Sequence, residues 1–154
     1  MKRAIKNFIA DYTPIKWYLA LMKKREDKRL YELRAPYLKE LSKLIDKDTS
    51  IISSNCFAGR IMQDLGMQYN SPTLGLYFWA PDYKFLSNLK YYLTEAKIEF
   101  VENSKYPLGD ERRKKWRHWY PVGLLGGKVE IQFLHYHTEE EAAEKWHRRA
   151  SRVN

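Results

Sequence analysis

The stretch that most narrows what this chain can fold into runs from Thr49 to Gly66, TSIISSNCFAGRIMQDLG. Ile51 and Ile52 form a β-branched apolar pair and read as a buried strand. Ser53, Ser54, Asn55 and Cys56 follow as a polar turn. Phe57, Ile61 and Leu65 then recur every fourth residue with Ala58 and Met62 beside them, so one face of a helix is apolar. Gly66 stands where a helix C-cap is wanted, and Ser54 or Asn55 can act as the N-cap. A strand entering a helix through a polar turn leaves backbone N–H groups free above the turn, where they can hold an anion or flank a nucleophile.

Residues 1–48 read as a basic helical lead-in to a domain spanning 49–154. Thr13-Pro14 opens a helix, and Ile15, Tyr18, Leu19 and Met22 fall at helical spacing. Lys23 to Arg29 is a solvated face or a bend. Pro36 is expected to interrupt, and Tyr37, Leu38, Leu41, Leu44 and Ile45 form a second stripe.

Beyond the central stretch, Ser71-Pro72 biases the backbone towards a turn. Leu74 to Trp79 is a near-continuous apolar run, as in a strand covered on both faces. Pro81 opens a helix to about Ala96, and Ile98 to Val101 is a short strand. Residues 102–119 read as a charged loop. Tyr120 to Leu125 and Lys128 to Tyr136 form a hairpin turned by Gly126-Gly127, with Val129, Ile131, Phe133 and His135 on one face. Thr138 and Glu141 make a capping box for a last helix, supported by the i,i+4 pairs Glu141–Lys145 and Glu144–Arg148. Strands alternating with helices predict an α/β layer fold, and the hairpin makes its sheet mixed.

The net charge of +9 favours anionic partners: phosphate, nucleic acid or an anionic membrane surface. Cys56 is the only cysteine, so no intrachain disulfide can form. The basic N-terminus has no uninterrupted apolar core of a signal peptide and no run long enough to span a membrane, which reads as a cytoplasmic chain. Walker loop, GxGxxG and HExxH patterns are absent. One Cys and four His without paired spacing argue against a structural zinc, and the sequence leaves any cofactor unknown.

Ligands of open α/β sheets bind beyond the carboxyl ends of strands. Ser54, Asn55 and Cys56, then Trp79 and Asp82, then His135 and Tyr136 lie at such ends if the strands are neighbours. At a helix N-terminus the Cys56 thiol is expected to have a depressed pKa and, with His135, to form a nucleophile pair. A small buried cysteine is the commoner use of such a position, and a core histidine the commoner use of His135. Asp82 is a candidate acid or base, although the helix dipole also accounts for it. Gly59 in the first helical turn marks a close approach, by packing or by a ligand. Lys145, Arg148 and Arg149 can clamp a diphosphate or complement the helix dipole. The run from Arg112 to His118, interleaved with Trp116, is either a solvated loop or a contact for RNA, anionic lipid or a phosphorylated ligand.

Several segments occur in a familiar order: IISSNCFAG, YNSPTLGLYF, PDYKFLSNLKYYL, YPVGLL and VEIQFLHYHTEEEAAEKWHRR. Over about residues 49–154 the chain resembles a bacterial family of unknown function whose members are commonly labelled exopolysaccharide or capsular polysaccharide biosynthesis proteins. The resemblance implies a three-layer α/β/α sandwich with a mixed β-sheet. It departs at Ser54 and Ala58, where the family usually has Asn and Gly, and members tend to continue beyond the last helix. A truncated member lacking terminal sheet elements is therefore expected.

The resulting expectation is a cytoplasmic protein, peripheral to the inner face of the membrane, that acts in surface-polysaccharide assembly as a sugar or nucleotide-sugar transferase. Cys56, Asp82 and His135 would carry catalysis. Ser54, Asn55, Gly59, Trp79, Tyr136, Lys145, Arg148 and Arg149 would contact a nucleotide-sugar or polysaccharide precursor. The alternative is a non-enzymatic basic module docking through residues 1–30 and 112–118 on polysaccharide-assembly proteins or an anionic membrane. RNA binding ranks last, since charge and aromatics alone favour it.

Overall fold

The computed structural model describes residues 13–116 and 118–154; expectations for residues 1–12 and Arg117 lie outside them. The chain divides into two compact units, residues 1–44 and 45–154.

The described part of the first unit is dominated by one helix, α1, Thr13–Leu41. Twenty-nine residues at 1.5 Å each make it about 43 Å long. Pro36 does not break it. A proline's fixed φ is itself helical, and the cost is one missing N–H and crowding of the preceding turn, which this helix absorbs. The charged run from Lys23 to Arg29 continues the helix and is exposed throughout. Glu26 and Arg29 pair there at 2.9 Å.

In the second unit the elements are α2 (Phe57–Asp64), a 3₁₀ segment (Ala80–Asn88), α3 (Leu89–Thr94), β1 (Ile98–Phe100), α4 (Pro107–Lys115), β2 (Val122–Leu125), β3 (Val129–Gln132) and α5 (Glu139–Ala150). The sheet has the order β1-β2-β3 and is antiparallel throughout. Ile98 faces Leu125, and Gly123 faces both Phe100 and Ile131. The Gly126-Gly127 turn forms as expected. Both glycines lie at positive φ, 60° and 66°, as a tight reversal matched to strand twist requires.

Two expected strands are absent. Ile51 and Ile52 are irregular, held through Ser53, whose N–H reaches Thr73 Oγ1 at 3.2 Å. The apolar run from Leu74 to Trp79 contributes one antiparallel bridge, Tyr77 with Gln132, and otherwise turns. Gly75, at φ 72°, reverses the chain at the start of that run, so its apolar content reflects burial rather than extension. With neither segment pairing in parallel, the described residues form a mixed helix-and-strand unit around an antiparallel sheet rather than a mixed one.

Other boundaries shift. The helix expected from Pro81 begins as a 3₁₀ segment. The expected loop over 102–119 contains α4, with Pro107 in its first turn and four basic residues in its last, a charge order suited to the helix dipole. β3 ends at Gln132, because Leu134 N–H turns back to Gln132 C=O at 3.0 Å and Tyr136 N–H to Phe133 C=O at 3.1 Å. That turn takes His135 off the apolar face, leaving it exposed. The cap of α5 forms as expected: Glu141 N–H donates to Thr138 Oγ1 at 3.1 Å. The Glu141 carboxylate accepts from His137 N–H, one residue before the cap.

The main core joins Leu76, Phe78, Phe85, Leu125, Val129, Ile131, Phe133 and Trp146. Phe78 and Phe85 stack at 4.9 Å. The opposite face of β3 is also buried, and it is polar. Glu130 and Gln132 are fully inaccessible. Glu130 accepts from Ser104 Oγ at 2.7 Å, Lys105 N–H at 2.7 Å and Gln132 Nε2 at 3.0 Å. Gln132 Oε1 in turn accepts from Tyr120 OH at 3.0 Å. Both oxygens of this carboxylate receive a donor, which is the condition for burying it.

Candidate functional site

The turn after Ser53 positions Cys56 at the N-cap of α2. Of the two expected caps Asn55 serves and Ser54 does not, and Ser53 joins it. Ser53 Oγ accepts from Ala58 N–H at 3.2 Å, and Asn55 Oδ1 accepts from Phe57 N–H at 2.9 Å. Two of the N–H groups that an anion would use are therefore already satisfied within the turn. Gly59 lies close to Leu74; a methyl group there would sit 3.0 Å from Leu74 Cδ2, so packing explains this glycine.

Across from Cys56, the turn after β3 presents His135. Its N–H donates to Gly75 C=O at 3.2 Å. Gly75 is required twice over: its φ is positive, and a Cβ would lie 3.2 Å from His135 Cβ. The result is a Cys56 Sγ to His135 Nε2 separation of 3.3 Å, hydrogen-bonding distance for sulfur. Burial pushes the Cys56 thiol above its ordinary value, and the Arg112 guanidinium opposes this only in part. The expected depression from the helix N-terminus is therefore reversed in direction. A half-buried sulfur loses hydration of its thiolate, and the helix has only eight residues with its first N–H groups occupied.

The thiol–imidazole pair opens into a cleft of about 380 Å³ whose wall includes Arg60, Gln63, Lys145 and Arg149. Arg149 Nη1 donates to Tyr136 OH and to Leu74 C=O, the latter at 3.3 Å. Tyr136 OH itself donates to Leu74 C=O at 2.6 Å. Burial raises the Tyr136 phenol, with Arg149 working against it. Lys145 is tied to Glu141 at 2.5 Å and stands over the Tyr136 ring. Arg60 contacts Gln63 at 3.4 Å. No carboxylate is among the residues that line the cleft. Two guanidinium groups and one ammonium thus line a cleft with no carboxylate in its wall, an arrangement that favours an anion.

Of the residues expected at a site, Cys56, Gly59, His135, Tyr136, Lys145 and Arg149 line this one cleft. Ser54 lies elsewhere, beside Tyr77 and Tyr83. Trp79 lines a separate cleft with Arg112 and Trp116. Arg148 pairs with Glu144 at 2.8 Å on the exposed side of α5. Asp82 is fully buried, with Lys105 Nζ at 2.6 Å from its Oδ1, so it holds structure and reaches no ligand in this cleft. Asn55 serves as a local cap.

Arg60, Gln63, Tyr69, Leu74 and Gly75 complete the cleft and were not expected at a site from the sequence. Arg60 and Gln63 follow Cys56 by four and seven residues, one helix face, which is a usable signal. Tyr69 and Gly75 carry none. The basic run after Arg112 is partly structural: Arg112 stacks on Tyr77 at 4.0 Å, and Arg113 donates to Glu102 C=O. Among the described residues no group of His, Cys, Asp and Glu is placed to hold a metal, and no helix is long and apolar enough to cross a membrane.

An uncharacterised protein of Haemophilus influenzae is 38% identical over 112 residues, which cover 72% of this chain and 47% of that protein. The chain spans about half the length of the curated relative it matches. A family model described as a domain of unknown function (DUF1919) matches residues 29–154. With that match over most of its length and this relative beside it, the chain belongs to the DUF1919 family.

Proposed function

We propose that the cleft binds a phosphate-bearing sugar, such as a nucleotide-sugar or a polysaccharide precursor, and that the protein serves surface-polysaccharide assembly as a transferase at the inner face of the membrane. One observation carries the binding part: Arg60, Lys145 and Arg149 converge on a cleft lined by no carboxylate, next to the Cys56–His135 pair. The polysaccharide part rests on the resemblance of the motifs from Ile51 onward to proteins carrying exopolysaccharide and capsule labels. In this reading Arg149 and Arg60 neutralise the phosphates. His135 takes the Cys56 proton as the sulfur attacks the anomeric carbon, and the anomeric C–O bond breaks to release the phosphate as an anion held by Arg60 and Arg149; a thiol raised by burial needs such a base within reach. We also propose that the antiparallel sheet belongs to a three-layer α/β/α sandwich, as the resemblance implies.

The test is thermal stability of the protein with a panel of nucleotide-sugars, inorganic pyrophosphate and neutral sugars. Binding should raise the melting temperature with the phosphorylated compounds and not with the neutral ones. No shift with any phosphorylated compound at several millimolar, far above typical KM values of ~1 μM to 1 mM, would reject the reading. Cys56→Ala separates the chemical step from binding: a nucleophile requires near-total loss of turnover with the melting shift retained.

A further inference from the structure

We infer that α1 pairs antiparallel with α1 of a second copy of this chain. Five of the large apolar side chains that the helix exposes share one stripe, Tyr18 at 56%, Leu19 at 52%, Met22 at 44%, Leu33 at 60% and Tyr37 at 77%, while Trp17, Leu30 and Tyr31 are exposed outside it. At 3.6 residues per turn these positions, with Glu26 and Arg29 between them, fall within a face about 100° wide. Those fractions leave roughly 600 Å² of side chain per copy, so pairing removes about 1,200 Å², the lower end of a stable interface.

The order of residues along the stripe selects the partner. About a midpoint between Asp27 and Lys28, it reads nearly the same in both directions. When two copies run antiparallel about that midpoint, Tyr18 meets Tyr37, Met22 meets Leu33, and Glu26 meets Arg29, each twice by symmetry. Parallel copies would set Glu26 against Glu26 and Arg29 against Arg29. Glu26 and Arg29 already pair within one helix at 2.9 Å, exposed and placed in the centre of the stripe. Antiparallel pairing extends them into a four-charge cluster that fixes register, as polar groups in helical seams do. A lipid surface is a poorer occupant, because laying this face into a bilayer would take both charges with it.

The experiment measures the mass of the full chain by light scattering after gel filtration, over roughly 1 to 100 μM. A dimer that dissociates on dilution is expected. Glu26→Arg should weaken it about tenfold or more, and E26R/R29E should restore it. Circular dichroism checks that each variant keeps its helix. In a Cys56→Ala background, mixing Tyr18→Cys with Tyr37→Cys should give disulfide-linked dimers under mild oxidation, whereas neither alone should. A monomer at every concentration would overturn the inference. So would a dimer indifferent to Glu26→Arg, self-linking by Tyr18→Cys, or a monomeric chain that binds anionic phosphatidylserine vesicles through this face.

Discussion

Replacing Arg149 by alanine separates what this residue does for the fold from what it does for a ligand. In the structure its guanidinium donates to Leu74 C=O at 3.3 Å and to Tyr136 OH. Leu74 C=O keeps a better donor after the change, since Tyr136 OH still reaches it at 2.6 Å. The folding cost is therefore about one charge-assisted hydrogen bond, roughly 1.5–3 kcal/mol, below the 5–15 kcal/mol of a typical domain. A phosphate in the cleft loses a charge-assisted hydrogen bond worth about 1.5–3 kcal/mol, or roughly 10- to 150-fold in Kd. Urea denaturation measures the first quantity and titration calorimetry with pyrophosphate the second. Arg149→Lys, which keeps the charge but loses the fork, should fall between. Unchanged pyrophosphate affinity in a folded Arg149→Ala protein would refute the assignment of Arg149 as a phosphate contact.

Other outcomes follow from the same geometry. Gly109→Ala would place a methyl 2.1 Å from Ser104 Oγ, and Ser104 cannot turn away without leaving Glu130 short of a donor, so urea unfolding should show a loss of about 2–4 kcal/mol. The Tyr106 phenol is pushed from its ordinary 10.0 to about 12, by burial first and then by Asp82 and Glu130. The unfolded chain releases that proton earlier, so the contribution is complete below pH 10.0 and is lost as pH rises towards 12. Tyr106→Phe should flatten this alkaline decline, as read from urea midpoints across that range. Because burial raises the Cys56 thiol, its alkylation by iodoacetamide should be slow at neutral pH and still accelerating above 9.0; a plateau near neutrality would contradict it.

Much of the site was legible because it depends on local chemistry. The polar turn before Phe57, the cations of α5 and the Thr138 cap are written in nearby residues, and the structure brings Cys56, His135 and Arg149 to one cleft. The sheet was less legible. Alternation correctly placed Val129, Ile131 and Phe133 on the core face, but the pattern ran two residues too far and carried His135 with it. The apolar run from Leu74 looked like a strand because apolar content records burial, not pairing, and Gly75 turns it aside. Asp82 looked like chemistry because a carboxylate at a helix start has many uses; only the three-dimensional approach of Lys105, twenty-three residues away, shows it to be an anchor. Likewise Glu130, in a pattern that points it at water, is enclosed by Ser104 and Lys105 from a distant loop.

The polar face of β3 has a consequence for how α4 can move. Grease tolerates sliding, because one methyl group replaces another at little cost. The loop before α4 is held differently: Lys105 N–H and Ser104 Oγ are directed at Glu130, Ser104 N–H at the Asp110 carboxylate, and Gly109 leaves no slack against Ser104. A displacement of one residue would strand all of these groups at once. This corner of the molecule should therefore behave as a latch with two positions, engaged or released, and amide exchange across Ser104 and Lys105 should occur in a single concerted opening.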